Sequence, residues 1–278
     1  MKHDDLIIDV GFHKGEDAQF YLDKGFRVVG VEANPALVQD AKQQFAAAIA
    51  DGRLTLFGVA IANRDGTAEL TVVDNIPGWS SLVPELVESN AVLSPITWHV
   101  VEVPTIRFEQ ILDQVGIPHY LKVDIEGLDM LCVEALQGFP DRPDFVSLES
   151  AVTRPKAGYT DMALEIWELS NLGFTQFAYV NQNAHPYRRA PYPAREGSYV
   201  DEVLTPEHSG FFGDELPARW MPRELALAYG ALIHSQYNVA DPTGAWTVGP
   251  YARACDAWWR LRHPDSRGTQ RWYDLHAK

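Results

Sequence analysis

The segment Asp9-Val10-Gly11-Phe12-His13-Lys14-Gly15 follows a short apolar run and opens an amphipathic one, the setting in which a strand turns into a helix and holds a ligand at the turn. Gly11 suits the sharp turn, and Gly15 is expected to let the helix pack close to the ligand. A dinucleotide site would carry a second glycine where His13 stands, so that a pyrophosphate could approach the helix N-terminus; a cofactor without phosphates fits better. About 20 residues further on, Glu32 ends the next strand, where a carboxylate can accept both hydroxyls of a ribose, and Ala33 follows it. Ala60, at the end of a third strand, would offer an adenine ring only backbone and methyl contacts. The plainer reading has Asp9 capping a helix and Glu32 facing solvent, and it accounts less well for the pair in this strand-helix context.

A second group is acidic. Asp124, Glu126 and Glu149 stand at or just beyond the ends of two later strands. Ligands of an open parallel sheet lie outside the carboxyl ends of its strands, so these side chains should face the same crevice as Asp9 and Glu32. Asp124 or Glu126 could act as general base, with a pKa raised by the neighbouring carboxylates and lowered by Lys122. Alternatively Asp124 and Glu149, with Glu126, could hold a hard divalent cation that acidifies a substrate hydroxyl. Glu126 also suits a helix N-terminus, and Asp124 a bond to an amino group of the cofactor. His13 reads as an exposed turn residue. Trp79-Ser80-Ser81 reads as a wall over the cofactor or as core packing.

The elements that must position these groups alternate. Leu6 to Val10, Phe26 to Val31, Leu54 to Val59, Tyr120 to Ile125 and Phe145 to Leu148 read as buried strands. Gly15 to Lys24, Pro35 to Ala50 behind the Asn34 cap, Phe108 to Val115 and Leu128 to Leu136 read as helices. Ala68 to Val73 and Trp98 to Pro104 add strands, with Val101 and Val103 facing opposite Val100 and Glu102. Such alternation predicts an α/β, doubly wound, Rossmann-like sheet. After about residue 180 prolines punctuate the chain and aromatics become dense. Residues 1–180 are therefore expected to form the core, and 181–278 a C-terminal extension, with one helix at Arg223 to Ile233, that shapes the acceptor pocket.

The 278 residues are 46% hydrophobic, enough for a substantial core. With 38 acidic against 23 basic side chains the formal charge is -15, which disfavours a nucleic-acid partner. Cys132 and Cys255 indicate neither a disulfide framework nor a zinc site. No apolar run reaches membrane-spanning length, and a cytoplasmic protein is expected. Aromatics interleaved with Arg188, Arg189, Arg195, Asp201 and His208 would suit sugar stacking, whereas Trp258-Trp259 with Arg262 suits a core.

Ile7-Ile8-Asp9-Val10-Gly11 with Gly15, Val31-Glu32-Ala33-Asn34-Pro35, and Tyr120-Leu121-Lys122-Val123-Asp124-Ile125-Glu126-Gly127 together resemble the FkbM-type methyltransferases, over roughly residues 5 to 150. The last motif is the most specific of the three. The resemblance implies a class I methyltransferase sheet, mostly parallel with one antiparallel strand, and O-methylation of a sugar, glycan or other natural-product hydroxyl. On it, Asp9, Gly11, Phe12, Gly15, Glu32, Ala33 and Ala60 bind S-adenosyl-L-methionine, and Asp124 or Glu126 takes the hydroxyl proton as the methyl passes in line. The acidic spacing is similar to that of catechol-type O-methyltransferases but departs from it, because Ser150 stands where an asparagine is expected. Ser209 to Gly213 and Trp272 to His276 look like parts of longer family members. The rival readings are a nicotinamide-dependent oxidoreductase, weakened by His13, and a non-catalytic interaction platform, which has no need of so many carboxylates in one crevice.

Overall fold

The apolar run Leu6-Ile7-Ile8 is fully buried and extends towards the N-terminus into the first strand of the computed structural model, β1 (Lys2–Val10). The structure describes residues 1–91, 94–153, 157–182, 188–237, 239–240, 246–247 and 272–278. After β1 come α1 (Glu16–Asp23), β2 (Arg27–Val31), α2 (Pro35–Gln44), α3 (Ala46–Ala50), β3 (Leu54–Phe57), β4 (Ala60–Ile61) and β5 (Gly66–Val73). Next are α4 (Pro84–Ala91), β6 (Trp98–Ile106), α5 (Phe108–Val115), β7 (Ile117–Val123), α6 (Met130–Ala135) and β8 (Phe145–Glu149). Then follow α7 (Tyr159–Asn171), β9 (Gln176–Asn181), β10 (Met221–Pro222), α8 (Arg223–Tyr237), the short β11 (Val239–Ala240) and β12 (Trp246–Thr247), and finally β13 (Tyr273–Ala277).

Eight strands form one sheet in the order β3-β2-β1-β7-β8-β13-β9-β10. β1 pairs in parallel with β2 and β7, β2 with β3, and β7 with β8. β13 runs antiparallel between β8 and β9, and the two-residue β10 is antiparallel on the edge. One face buries Leu6, Ile8 and Leu121 against α5, α6, α7 and α8. The opposite face buries Ile7, Tyr120 and Phe145 against α1 and, from the later part of the chain, Phe211 and Phe212. Phe212 stacks on Tyr120 with ring centroids 4.7 Å apart. Helices therefore cover both faces of a mostly parallel sheet, the doubly wound Rossmann-like arrangement expected from the alternation.

Four features differ from the sequence reading. The helix expected from Pro35 to Ala50 breaks at Phe45, whose ring turns inward to meet Phe12 edge-on at 5.5 Å. β4, β5 and β6 leave the main sheet and form a separate three-stranded one in the order β4-β6-β5. α7 and β9 fill a stretch that carried no assignment. The main sheet draws β13 from the far end of the chain, so the core expected over 1–180 includes residues 273–277, and the extension is not set apart from it. On β6, Val103 is buried while Val100 and Glu102 are exposed, as the alternation required.

Cys132 is buried in α6; Cys255 and the Trp258-Trp259 pair with Arg262 lie outside the described residues. Among the described residues no helix is long and apolar enough to cross a membrane.

Candidate active site

A cavity of about 180 Å³ opens at the carboxyl ends of β1, β2 and β7. The turn after β1 forms one wall. Gly11, His13 and Gly15 all take positive φ, so His13 holds the left-handed conformation that a glycine would hold in a dinucleotide turn. Gly11 has two reasons to be glycine: its φ is +90°, and a Cβ there would run into the carbonyl oxygen of Asp124 on the neighbouring strand end. Gly15 is small for a different reason than expected. A Cβ at Gly15 would lie 2.6 to 2.7 Å from the rings of Phe45 and Phe12, so the close approach there is to core aromatics, and Gly15 does not line the cavity.

Glu32 forms the next wall and is held by backbone amides. The His13 N–H donates to its Oε2 at 2.8 Å and the Asn34 N–H to its Oε1 at 2.7 Å. Asn34 in turn caps α2 by accepting from the Ala36 N–H at 3.0 Å, with Pro35 in the first turn. Burial pushes the Glu32 carboxyl above its ordinary range, and the amide hydrogen bonds oppose that shift. Each oxygen keeps a lone pair beyond the one used, so the carboxylate remains able to accept hydroxyls. Ala33, Val59, Ala60 and Ile61 give the cavity an apolar end, and Phe12 lines it beneath His13.

Asp9 is placed differently from expectation. It is 1% exposed, does not reach the cavity wall, and pairs at 2.9 Å with Lys122, which does. The physical reason is the pleat: Asp9 and Lys122 are register partners on β1 and β7, so their side chains share one sheet face and close on each other beneath the floor. Burial pushes the Asp9 carboxyl up to about 6, against the pull of the Lys122 ammonium. The Lys122 pKa stands well above its ordinary value: burial alone would lower it, and the charges of Asp9, Asp17 and Asp124 outweigh that.

At the other end of the cavity stand Asp124, exposed, and Glu126, half-buried. Glu149 does not line the cavity, but one carboxylate oxygen each from Asp124, Glu126 and Glu149 lie within 4.8 Å of one another. Asp274 on β13 is the register partner of Glu149, and its carboxyl is pushed well above the ordinary range by burial and then by the charges of Asp124 and Glu149. Glu126 is, with His13, one of two non-glycine residues among those described with a positive φ. Backbone held in that region costs roughly 1 to 2 kcal/mol and clusters at functional sites.

Several lining residues escaped sequence reasoning. Glu16 and Asp17 come from the first turn of α1, and Glu207 and Ser209 from the extension. The Ser209 N–H donates to both Asp17 oxygens, at 2.9 and 3.2 Å, across 192 positions of chain. An acidic first helical turn is a visible signal for Glu16 and Asp17. For Glu207 no local signal exists, and Ser209 stands in a segment that resembles longer family members without pointing to a place at the site.

The family model described as the methyltransferase FkbM domain matches residues 9–175, more than half of the chain. The chain belongs to the FkbM methyltransferase domain family. That membership implies S-adenosylmethionine as the methyl donor. It covers the strands carrying Glu32, Asp124, Glu126 and Glu149, and it ends before Glu207, Ser209 and β13. No curated protein matches the chain. Among solved structures, the precorrin-6y C5,15-methyltransferase of Geobacter metallireducens GS-15 is similar at 10% identity with a TM-score of 0.37, over 72% of this chain and 77% of that one. At that distance the likeness adds nothing to the strand order described above.

Proposed function

We propose that this methyltransferase family member transfers a methyl group from S-adenosylmethionine to a hydroxyl of a sugar, glycan or other small natural product. The observation that carries the reading is the charge of the cavity. Its described lining holds six carboxylates, Glu16, Asp17, Glu32, Asp124, Glu126 and Glu207, against only Lys122 and His13, and Lys122 is already shared between Asp9 and Asp17. Such a field repels the pyrophosphate of a nicotinamide dinucleotide and attracts a cationic sulfonium. The residues fit the cofactor in parts: an apolar end beside Ala60 and Ile61 for a base, Glu32 for ribose hydroxyls, and the acidic end for the cationic centre.

When bound, S-adenosylmethionine supplies an electrophilic methyl group. Asp124 and Glu126 stand at the cavity mouth, where either carboxylate can orient an acceptor hydroxyl and accept its proton as the new C–O bond forms. Glu207 and Ser209 bring the extension to the same wall.

A divalent cation is a second reading of the same carboxylates, favoured by the mutual approach of Asp124, Glu126 and Glu149. An all-oxygen donor set suits magnesium, which would acidify the acceptor hydroxyl.

The test is transfer of label from methyl-labelled S-adenosylmethionine to a panel of monosaccharides, amino sugars and glycosides, with magnesium and with EDTA. Labelled methyl ethers from the wild type, lost in Glu126→Gln, support the reading; label on amine nitrogen alone would replace the hydroxyl acceptor, and no loss with EDTA would remove the cation.

A further inference from the structure

The loop that carries Glu126 is pinned from two sides. Beneath it, Asp129 is buried and accepts the Ile125 N–H on Oδ1 at 3.3 Å and the Gly127 N–H on Oδ2 at 3.1 Å. Across from it, the Ser81 hydroxyl donates to the Glu126 carbonyl oxygen at 2.7 Å and accepts the Val83 N–H at 2.9 Å. Ser81 is 2% exposed, and two backbone hydrogen bonds of 3.0 and 3.1 Å clip it to Thr71 on β5. Gly127, at φ +107°, also packs on Leu86 of α4, whose terminal methyl would have to shift to admit a Cβ there. The left-handed Glu126 is thus attached to the small sheet as well as to the main one.

The segment that supplies Ser81 is also cavity wall. Pro77, Gly78, Ser80, Ser81 and Leu82 all line the space read above as the donor site, and Ser80 is itself tied to β5 by accepting the Val73 N–H at 3.1 Å. A ligand packed against this wall restricts the segment, and a restricted segment keeps the Ser81 hydrogen bond made.

We propose that Ser81 is a positioning residue that couples occupancy of the donor cavity to the placement of Glu126, so that the acceptor side is assembled only once the cofactor is seated. The proposal rests on the donor-site reading of that cavity. It adds an order to the reaction, cofactor before acceptor, carried by one hydroxyl between two sheets. Linkage makes the effect reciprocal: an acceptor that needs Glu126 in place tightens the hold on the cofactor.

Hydrogen–deuterium exchange of the full chain, with and without S-adenosylhomocysteine at a concentration that saturates each variant, tests it. In the wild type, the product should slow exchange in the peptide spanning residues 125–128 by about tenfold or more. Ser81→Ala and Ser81→Cys should bind the product yet leave that peptide fast in both states, and Ser81→Thr, which keeps a hydroxyl, should restore protection. Ser81→Cys conserves size and serves if the alanine variant does not fold. Wild-type protection of 125–128 in either variant, with the product bound, overturns the coupling alone. Failure of the wild type to bind S-adenosylhomocysteine overturns the donor-site reading and this proposal with it.

Discussion

Lys122 and Asp9 face each other across β7 and β1 at 2.9 Å, with side chains 5% and 1% exposed, and Lys122 also lines the carboxylate-rich cavity. Removing one partner of a buried pair costs about 3 to 5 kcal/mol, and for Lys122 the Asp17 carboxylate, 3.7 Å away, offsets part of that loss. Asp9→Ala should therefore lower the melting temperature sharply, and any loss of cofactor binding should follow from a disturbed floor. Asp9→Leu combined with Lys122→Met should recover most of that stability in thermal denaturation. A single Asp9→Ala variant as stable as wild type would show that the pair is not structural.

Glu32→Gln separates shape from charge. The two oxygens of Glu32 each accept a backbone N–H, from His13 and Asn34, and a glutamine must present its NH₂ to one of those donors. We expect a stability loss of about 1 to 3 kcal/mol in urea denaturation. Affinity for S-adenosylhomocysteine should fall about tenfold or more, read by calorimetry. Unchanged affinity would remove Glu32 from the ribose-binding role.

Glu126 holds φ +53°, which glycine adopts freely and alanine does not. Glu126→Gly should be more stable than Glu126→Ala by about 1 kcal/mol, in equilibrium unfolding, while both fail to transfer methyl groups. Equal stability would mean that the loop relaxes out of the left-handed region once the side chain is gone.

His119 ties the base of the sheet to the extension. Its Nδ1 lies 2.8 Å from Asp144 and its Nε2 2.9 Å from Glu196, while Lys2 also pairs with Asp144. Burial lowers the His119 pKa, but hydrogen bonds and charge from the two carboxylates outweigh it and leave the value raised above 6.5. The protonated form is thus favoured by folding, and its contribution is fully present below the unfolded-state value and lost as pH rises through the folded one. The melting temperature of the wild type should fall between about pH 6 and 8 more steeply than that of His119→Gln. Parallel curves would show that the imidazole adds no proton-linked stability.

The parallel half of the fold was legible because its signals are local. α5 spans Phe108–Val115 as its periodicity required, and β2, β7 and β8 fall within a few residues of their apolar runs. β13 was not legible: Tyr-Asp-Leu-His-Ala mixes polar with apolar residues, and its partners Glu149 and Val180 lie far back in the chain. In the site, Glu32, Asp124 and Glu126 reached the cavity because they stand just beyond the ends of the central parallel strands β2 and β7, where the crevice opens, whereas Glu149, at the end of β8, lies outside it. Asp9 has a similar position but is taken by Lys122, and spacing alone does not tell a wall from a floor. Ser209 meets Asp17 through the fold alone, and Ser81 meets Glu126 through a second sheet whose separation from the first no periodicity announced.

The most direct test of the central claim is calorimetric titration of the full chain with S-adenosylhomocysteine and, in parallel, with NAD. The carboxylate-lined cavity predicts micromolar binding of S-adenosylhomocysteine and none of NAD. Binding of NAD without S-adenosylhomocysteine would contradict the account and assign the cavity to a nicotinamide cofactor.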